Sequence, residues 1–90
     1  MRFEWDEEKA ARNLAKHGVS FLEAATVFGD PLSDTFDDPD HSVAERRFLI
    51  IGMSQEGRML IVAHLDDGGI VRIISAREPT RGERELYEEN

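Results

Sequence analysis

Three short runs of β-favouring residues follow one another in the second half of the chain, separated by connections of only four or five residues. The runs cover residues 47–53, 59–65 and 70–76. Both connections contain glycine, which readily adopts the positive φ that tight hairpins need. A parallel pair would need a crossover of a dozen or more residues, so the runs are predicted to form an antiparallel meander.

Two helices are predicted before the sheet. Asp6 is placed to cap a helix over residues 7–17, and Ser20 with Glu23 fits a capping box for a second helix over residues 21–28. Apolar residues recur in each at helical spacing, which predicts the faces that enter the core. The predicted core residues are Ala10, Ala11, Leu14 and Ala15 in the first helix and Phe21, Ala24, Ala25 and Phe28 in the second.

The remaining elements complete an α+β fold. Residues 32–36 predict an exposed edge strand, residues 2–5 a short strand or arm, and Thr80 with Glu83 a capping box that opens a C-terminal helix. The predicted architecture is two N-terminal helices, an antiparallel sheet of about four strands and a C-terminal helix. A chain of 90 residues builds one core, so residues 1–90 are interpreted as a single domain.

Composition excludes several classes of function. The chain has no cysteine, and its three histidines are scattered, so no zinc or iron–sulfur site is predicted. No phosphate-binding glycine loop and no nucleophile elbow is present, and no cofactor is predicted. No apolar run approaches the roughly 20 residues that span a bilayer. We therefore expect a soluble, cytoplasmic protein without a metal.

The net charge restricts the partners. Nineteen acidic against eleven basic residues give a formal charge of −8, which opposes broad attraction to nucleic acid or anionic membranes. Charges further apart than about 10 Å are largely screened at cellular salt, so a local cluster of arginines can still hold a phosphate. An acidic body also suits a small basic protein partner.

Two arginines in the last predicted strand are candidates for such a cluster. Arg72 interrupts the apolar run 70–74, and Arg77 ends the strand. A guanidinium in such a strand is costly unless it meets a phosphate or a carboxylate. Arg72 is therefore either part of a phosphate-binding fork or paired with Glu45 or Asp66. Strict alternation puts the two arginines on opposite faces, so they converge only if the strand twists or ends.

Two further groups have a functional and a structural interpretation. His64 lies on the neighbouring strand, and its usual pKa near 6.5 suits the proton transfer that cleavage by a ribose 2′-hydroxyl requires. The alternative is a strand-end histidine bonded to a backbone carbonyl. Lys9, Arg12 and Lys16 recur on one side of the first helix, either to follow a nucleic-acid backbone or as a solvated face.

Two longer patterns are more selective than any single short motif. They are the K-H-G-V-S-F junction at 16–21 and the R-I-I-S-A-R run at 72–77, which leads into T-R-x-E-R at 80–84. Through these and other positions, nearly the whole chain resembles the BrnT toxin family. The other matching positions are Phe3, Glu4, Trp5, Asp6, Lys9, Asn13, Glu23, Ala24, Val27, Phe28, Asp30, Pro31, Glu45, Arg46, Gly52, Ser54, Gly57 and Arg58.

The resemblance implies a RelE-like fold and the toxin half of a type II toxin–antitoxin pair. It implies a metal-independent endoribonuclease that cuts RNA and inhibits translation. A BrnA-like ribbon-helix-helix antitoxin would neutralise it and provide its only link to DNA. The alternative is a non-catalytic, toxin-like binding module that acts as co-repressor with a DNA-binding antitoxin.

The resemblance also implies roles for individual residues. Arg72 and Arg77 would stabilise charge on the transferring phosphate, and His64 and Glu45 would move protons. This assignment requires the two guanidinium groups to form one cationic pocket, rather than each to be neutralised by its own internal counter-ion. The residues expected to bind RNA are Lys9, Arg58, Arg81 and Tyr87.

Overall fold

A computed structural model describes residues 1–38 and 46–89 of the chain. The element order agrees with the predicted α+β class. The elements are β1 Arg2–Glu4, α1 Glu7–His17, α2 Phe21–Thr26, a 3₁₀ turn Val27–Gly29, β2 Asp34–Asp37, β3 Phe48–Met53, β4 Met59–Asp67, β5 Ile70–Arg77 and α3 Arg81–Glu88.

The strands form one five-stranded mixed sheet in the order β1-β5-β4-β3-β2. Strands β2 to β5 pair antiparallel, which confirms the predicted meander. The prediction of an antiparallel sheet of about four strands missed β1, which pairs parallel with β5. The two N-terminal helices and the meander lie between β1 and β5 in the sequence, and this long connection lets β1 join as a parallel edge strand.

The N-terminal helices cover one face of the sheet. Phe21 and Ala24 of α2 are buried in the core, and Ala25 and Phe28 pack against it, as predicted. The buried stripe predicted for α1 is wrong in part, because Leu14 is 52% exposed. Ala11 and Ala15 are exposed as well, and Ala10 is half-buried.

Asn13 is the buried residue of α1. Its side-chain amide donates hydrogen bonds to the carbonyls of Ala76 at 2.8 Å and Val19 at 3.0 Å, and its Oδ1 accepts one from the Ala76 N–H at 3.1 Å. Strand β1 pairs with β5 only at Ile70–Arg72, so Asn13 satisfies backbone groups further along this edge that no strand reaches. These bonds fix α1 against β5.

Helix α3 begins with the predicted capping box of Thr80 and Glu83 and contacts β3. It has no buried residue. A hydrogen bond from the Tyr87 hydroxyl to Asp30 Oδ2, at 2.8 Å, ties it to the end of the 3₁₀ turn. Polar contacts of this kind therefore provide much of the attachment of α3.

Candidate active site

A β-bulge in β5 decides which way the two strand arginines point. His64 pairs with Ile73 and Ala63 with Ser75, so Ile74 is an extra residue with no partner on β4. The extra residue shifts the alternation by one position. Arg72 and Arg77 consequently lie on the same face of the sheet, which corrects the expectation of opposite faces.

Arg72 is neutralised by the neighbouring strand. Glu4 of β1 is its register partner, and Arg72 Nη1 lies 3.3 Å from Glu4 Oε1 with both side chains half-exposed. The carboxylate that allows an arginine in this apolar strand is therefore Glu4 and not Asp66. Glu45, the other predicted partner, lies outside the described residues.

Arg77 forms a two-pronged ion pair with α3. Its Nη1 and Nη2 donate to the two carboxylate oxygens of Glu83 at 2.8 and 3.0 Å. The hydrogen bonds from Arg77 lower the pKa of Glu83 to about 2, and the same pairing raises the pKa of Arg77. Glu83 also accepts from the Thr80 N–H at 2.8 Å, so the ion pair and the cap of α3 share one carboxylate.

Arg72 and Arg77 do not form one pocket in this conformation. Their partners on β4, Leu65 and Ile61, are four positions apart, so the two arginines lie roughly 13 Å apart along the strand at about 3.3 Å per residue. Each has its own carboxylate. The expectation that their guanidinium groups converge is therefore wrong for this state of the protein.

Arg58 is held by a buried acid. Its Nε and Nη2 donate to the two oxygens of Glu23 at 2.8 and 2.6 Å, and Nη2 also donates to the Gly18 carbonyl at 2.7 Å. Glu23 is 5% exposed and accepts a further bond from the Ser54 hydroxyl at 2.8 Å. The hydrogen bonds from Arg58 lower the pKa of Glu23, and those with Glu23 raise the pKa of Arg58.

The predicted capping box of α2 is only half formed. The Ser20 hydroxyl accepts from the Glu23 N–H at 3.0 Å. The Glu23 side chain does not return the bond, because its carboxylate turns inward to Arg58 and Ser54. The capping pattern predicted the start of the helix correctly. It did not predict that Glu23 would bind Arg58 and Ser54.

His64 lies on the face of the sheet that α1 and α2 cover, whereas Arg72 and Arg77 lie on the other face. It is 4% exposed, its ring stacks on Phe48, and Phe28 meets it edge to face with ring centroids 4.8 Å apart. Its Nδ1 lies 3.3 Å from the Val62 carbonyl, as in the structural interpretation, although the ring is buried and not at an exposed strand end. Burial lowers the pKa of His64, so the imidazole is neutral at pH 7.

The other predicted RNA-binding residues are dispersed. Lys9 is exposed on α1. Arg81 makes one exposed contact with Glu85 at 3.7 Å. The hydrogen bond to Asp30 raises the pKa of Tyr87, whose position one helical turn after Glu83 puts both on the same side of α3.

The structure thus brings Arg77 and Arg58 to one end of the sheet and leaves Arg72 and His64 elsewhere. Glu78 connects Arg77 and Arg58, because it follows Arg77 directly in the chain and its carboxylate lies 3.9 Å from Arg58. Glu83 and Glu23 were predicted only as capping residues, and nothing in their spacing indicates an arginine partner. Asn13 was missed as an edge residue for the same reason.

Within residues 1–38 and 46–89, no group of three or more metal-ligating side chains is close enough to hold an ion. None of the helices in these ranges is long and apolar enough to cross a bilayer.

Two comparisons identify the family of the chain. The family model for the ribonuclease toxin BrnT of type II toxin–antitoxin systems matches residues 5–83. The fold is similar to the crystal structure of the Brucella abortus ribonuclease toxin BrnT, with a TM-score of 0.68 and 25% sequence identity over 90% of this chain and 99% of that one. A search of curated proteins gave no match. Because the family model covers most of the chain, the protein belongs to the BrnT family of ribonuclease toxins.

Proposed function

We propose that this protein is a metal-independent endoribonuclease of the cytoplasm that cuts RNA, inhibits translation and is neutralised by an antitoxin. Membership of a family of ribonuclease toxins supports the general activity. The observation that carries the specific proposal is the geometry of Arg77, a partly exposed guanidinium bound through both terminal nitrogens to one oxyanion.

The proposed reaction is an internal phosphoryl transfer. The ribose 2′-hydroxyl loses its proton to a base and forms a bond to the adjacent phosphorus. The bond from phosphorus to the 5′-oxygen breaks, and that oxygen receives a proton. The products are a 2′,3′-cyclic phosphate and a 5′-hydroxyl, and no water or metal enters the step.

Arg77 stabilises the charge that develops on the phosphate. A phosphate presents two oxygens to a guanidinium as a carboxylate does, so the substrate takes the place of Glu83 on Arg77. Arg58 lies at the same end of the sheet and adds positive charge while remaining bound to Glu23. Arg72 lies roughly 13 Å away by strand spacing and is paired with Glu4, so it contacts a nucleotide further along the RNA and not the reacting phosphate.

The proton carrier is Glu45 in preference to His64. A carrier must come within hydrogen-bond distance of the proton it moves. His64 is enclosed between Phe28 and Phe48 on the opposite face, and it serves this role only if those rings move apart. Tyr87 supports the leaving group or stacks on a base, and Arg81 adds charge at the start of α3.

The test is incubation of the purified protein with RNA in the presence of EDTA. Wild type is expected to release fragments ending in 2′,3′-cyclic phosphate. Arg77→Ala should lower the rate by about 10²-fold or more, the loss typical of removing one transition-state donor. Arg84→Ala, a matched control at an exposed arginine of α3, should cleave as wild type does.

A non-catalytic binding module is the second candidate, and one observation favours it. Both strand arginines already have a carboxylate partner, so neither needs RNA to be satisfied. If folded, monodisperse wild type leaves RNA intact, the protein is such a module and acts as co-repressor with its antitoxin.

We propose a basic ribbon-helix-helix protein as the antitoxin and as the only link to DNA. The family belongs to type II toxin–antitoxin systems, and a chain of charge −8 suits a basic partner. A neighbouring gene whose ribbon-helix-helix product binds this chain and stops RNA cleavage is the expected finding. Cleavage that continues in the saturated complex would contradict it.

A further inference from the structure

A groove runs between α1 and the edge of β5 that β1 does not reach. It has a volume of about 380 Å³. Four basic or titratable side chains of α1 line one wall, and two residues at the bulge of β5 line the other, with Asn13 between them. The wall residues are Lys9, Arg12, Lys16, His17, Ile74 and Ser75. We call this site the α1–β5 groove.

The cations of the α1–β5 groove have only weak, exposed counter-ions. No acidic side chain among the described residues lines it, although Asp6, the exposed N-cap of α1, interacts electrostatically with Lys9 and Arg12. Within residues 1–38 and 46–89, no carboxylate lies within 4 Å of the Lys9 or Lys16 ammonium group. Arg12 has one contact with Glu8 at 3.7 Å in which both side chains are largely exposed, and exposed pairs of this kind contribute little. A positive groove therefore exists on a protein of charge −8.

Helix stability explains most, but not all, of this charge. Lys16 lies in the last turn of α1, where positive charge complements the helix dipole. Arg12 is four residues after Glu8, its i,i+4 partner in the helix. Lys9 lies in the first turn, where the dipole disfavours a cation, so a surface that binds an anionic ligand explains its position better than helix stability does.

The groove is fixed by hydrogen bonds, and its two lysines are far enough apart to contact different phosphates of one strand. The hydrogen bonds of Asn13 to Ala76 and Val19 fix α1 relative to β5 before any ligand arrives. Lys9 and Lys16 are seven residues apart, roughly 10 Å along the helix axis at 1.5 Å per residue. A single strand is more extended than the roughly 3.4 Å axial rise per phosphate of a duplex strand, so this distance separates two phosphates of one strand.

The groove leads to the proposed cleavage site. Its far end is His17, and the next residue, Gly18, accepts the hydrogen bond from Arg58. On the other wall, Ser75 precedes Arg77 by two residues. A strand lying in the groove would therefore reach the end of β5 where Arg58 and Arg77 lie.

We propose that the α1–β5 groove binds backbone phosphates of the RNA strand on one side of the scissile phosphate. This inference rests on the proposed function, since it extends the same substrate beyond the reacting nucleotide. The contacts are to phosphate, so they add affinity without base preference.

The test compares two double variants that remove the same charge. Lys9→Gln/Lys16→Gln changes the groove, whereas Arg2→Gln/Arg84→Gln changes two exposed arginines elsewhere. The probe is a fluorescein-labelled 2′-O-methyl RNA, which cannot be cut because its nucleophile is blocked. Each phosphate contact to a single strand contributes roughly 0.7 to the slope of log K against log salt. The slope of the groove variant should therefore be smaller than that of wild type by about 1.4, because two contacts are removed. The slope of the control variant should equal that of wild type.

A cleavage measurement separates this proposal from the proposed function. Against a long RNA, kcat/KM of the groove variant should fall about tenfold, while cleavage of a dinucleotide should match wild type. Equal salt slopes for the two variants, with wild type cutting RNA, would overturn the groove proposal alone. A folded wild type that binds the probe with the expected slopes and cuts nothing would overturn only the nuclease. No binding by wild type would overturn both.

Discussion

The two basic regions of this acidic protein carry their charge in opposite ways. At the end of β5, Arg58 and Arg77 each donate two hydrogen bonds to a single carboxylate at 2.6–3.0 Å. Along α1, Lys9 and Lys16 line a groove with no acid among the described residues around it. Paired guanidinium groups hold elements of the fold together, while ammonium groups that form no ion pair within residues 1–38 and 46–89 are available for an anionic ligand.

In this protein the partner of a cation, more than its place in a motif, decides what the cation contributes. Arg58 was predicted to orient RNA, and its strongest contacts are with Glu23 and the Gly18 carbonyl. Removing it should therefore change stability first. Removing Lys16 should change binding and leave stability alone.

The largest effect on stability is expected for Arg58→Ala. The substitution leaves the buried carboxylate of Glu23 without its cation, in contact with the Ser54 hydroxyl and the Glu56 side chain. An uncompensated buried charge typically costs 3–5 kcal/mol, and solvent at the half-exposed Arg58 reduces this to about 2–3 kcal/mol. Urea denaturation at pH 7 measures the free energy of unfolding, and Lys16→Ala should change it by less than about 0.5 kcal/mol.

A double variant checks the cause. In Arg58→Ala/Glu23→Gln the buried charge is absent, so part of the lost stability should return. If the double variant is as unstable as the sum of the single variants, the ion pair is not what Arg58 contributes. Equal losses for Arg58→Ala and Lys16→Ala would remove the contrast between the two regions.

A smaller effect is expected at acid pH from Glu83. Its pKa is about 2 in the folded protein, against an ordinary value of 4.5 for a glutamate, so the unfolded chain binds its proton more readily. The stabilisation is therefore complete above pH 4.5 and is lost as the pH falls toward 2. After screening by solvent we expect it to be about 1–2 kcal/mol.

Comparison with Glu83→Gln isolates this contribution from the other carboxylates. Between pH 4.5 and 2.5 the wild type should lose more stability than the variant, measured by thermal or urea unfolding. Parallel curves would mean that the two-pronged contact with Arg77 does not persist in solution.

The fold was largely predictable from local patterns. Asp6 and Thr80 mark the starts of α1 and α3, and short glycine connections give the meander, because caps and turns depend on neighbouring residues. The parallel pairing of β1 was not predictable, since it joins residues about 68 positions apart. The bulge at Ile74 was missed because the pattern of alternating residues in a strand does not show where one extra residue is inserted.

The site was less predictable, because ion pairs depend on tertiary distances. Arg72 was expected to meet either a phosphate or a carboxylate, with Glu45 or Asp66 as the possible acids. Its partner is Glu4, which lies on a strand whose pairing was unknown. Asn13 falls between apolar residues on α1, and its burial follows only from the unpaired edge of β5. Glu45 lies outside the described residues, so its predicted proton-transfer role remains a proposal.

The smallest effect is expected from His64, a third kind of basic group whose charge is suppressed by burial. Burial lowers its pKa below the usual 6.5, against the opposing effects of the Val62 carbonyl and Asp66. The unfolded chain therefore takes up the proton first, and stability falls as the pH drops below 6.5. His64→Phe should remove at most about 1 kcal/mol of this dependence between pH 6.5 and 5.5.

The same variant decides whether His64 belongs with the structural or the catalytic residues. Phenylalanine keeps the ring contacts with Phe28 and Phe48 and cannot carry a proton. Because the imidazole faces away from Arg77, we expect His64→Phe to cleave RNA within about threefold of wild type. Loss of a proton carrier would slow cleavage by about 10²–10⁴-fold. A loss of that size in a folded variant would return proton transfer to His64 and require its aromatic enclosure to open during turnover.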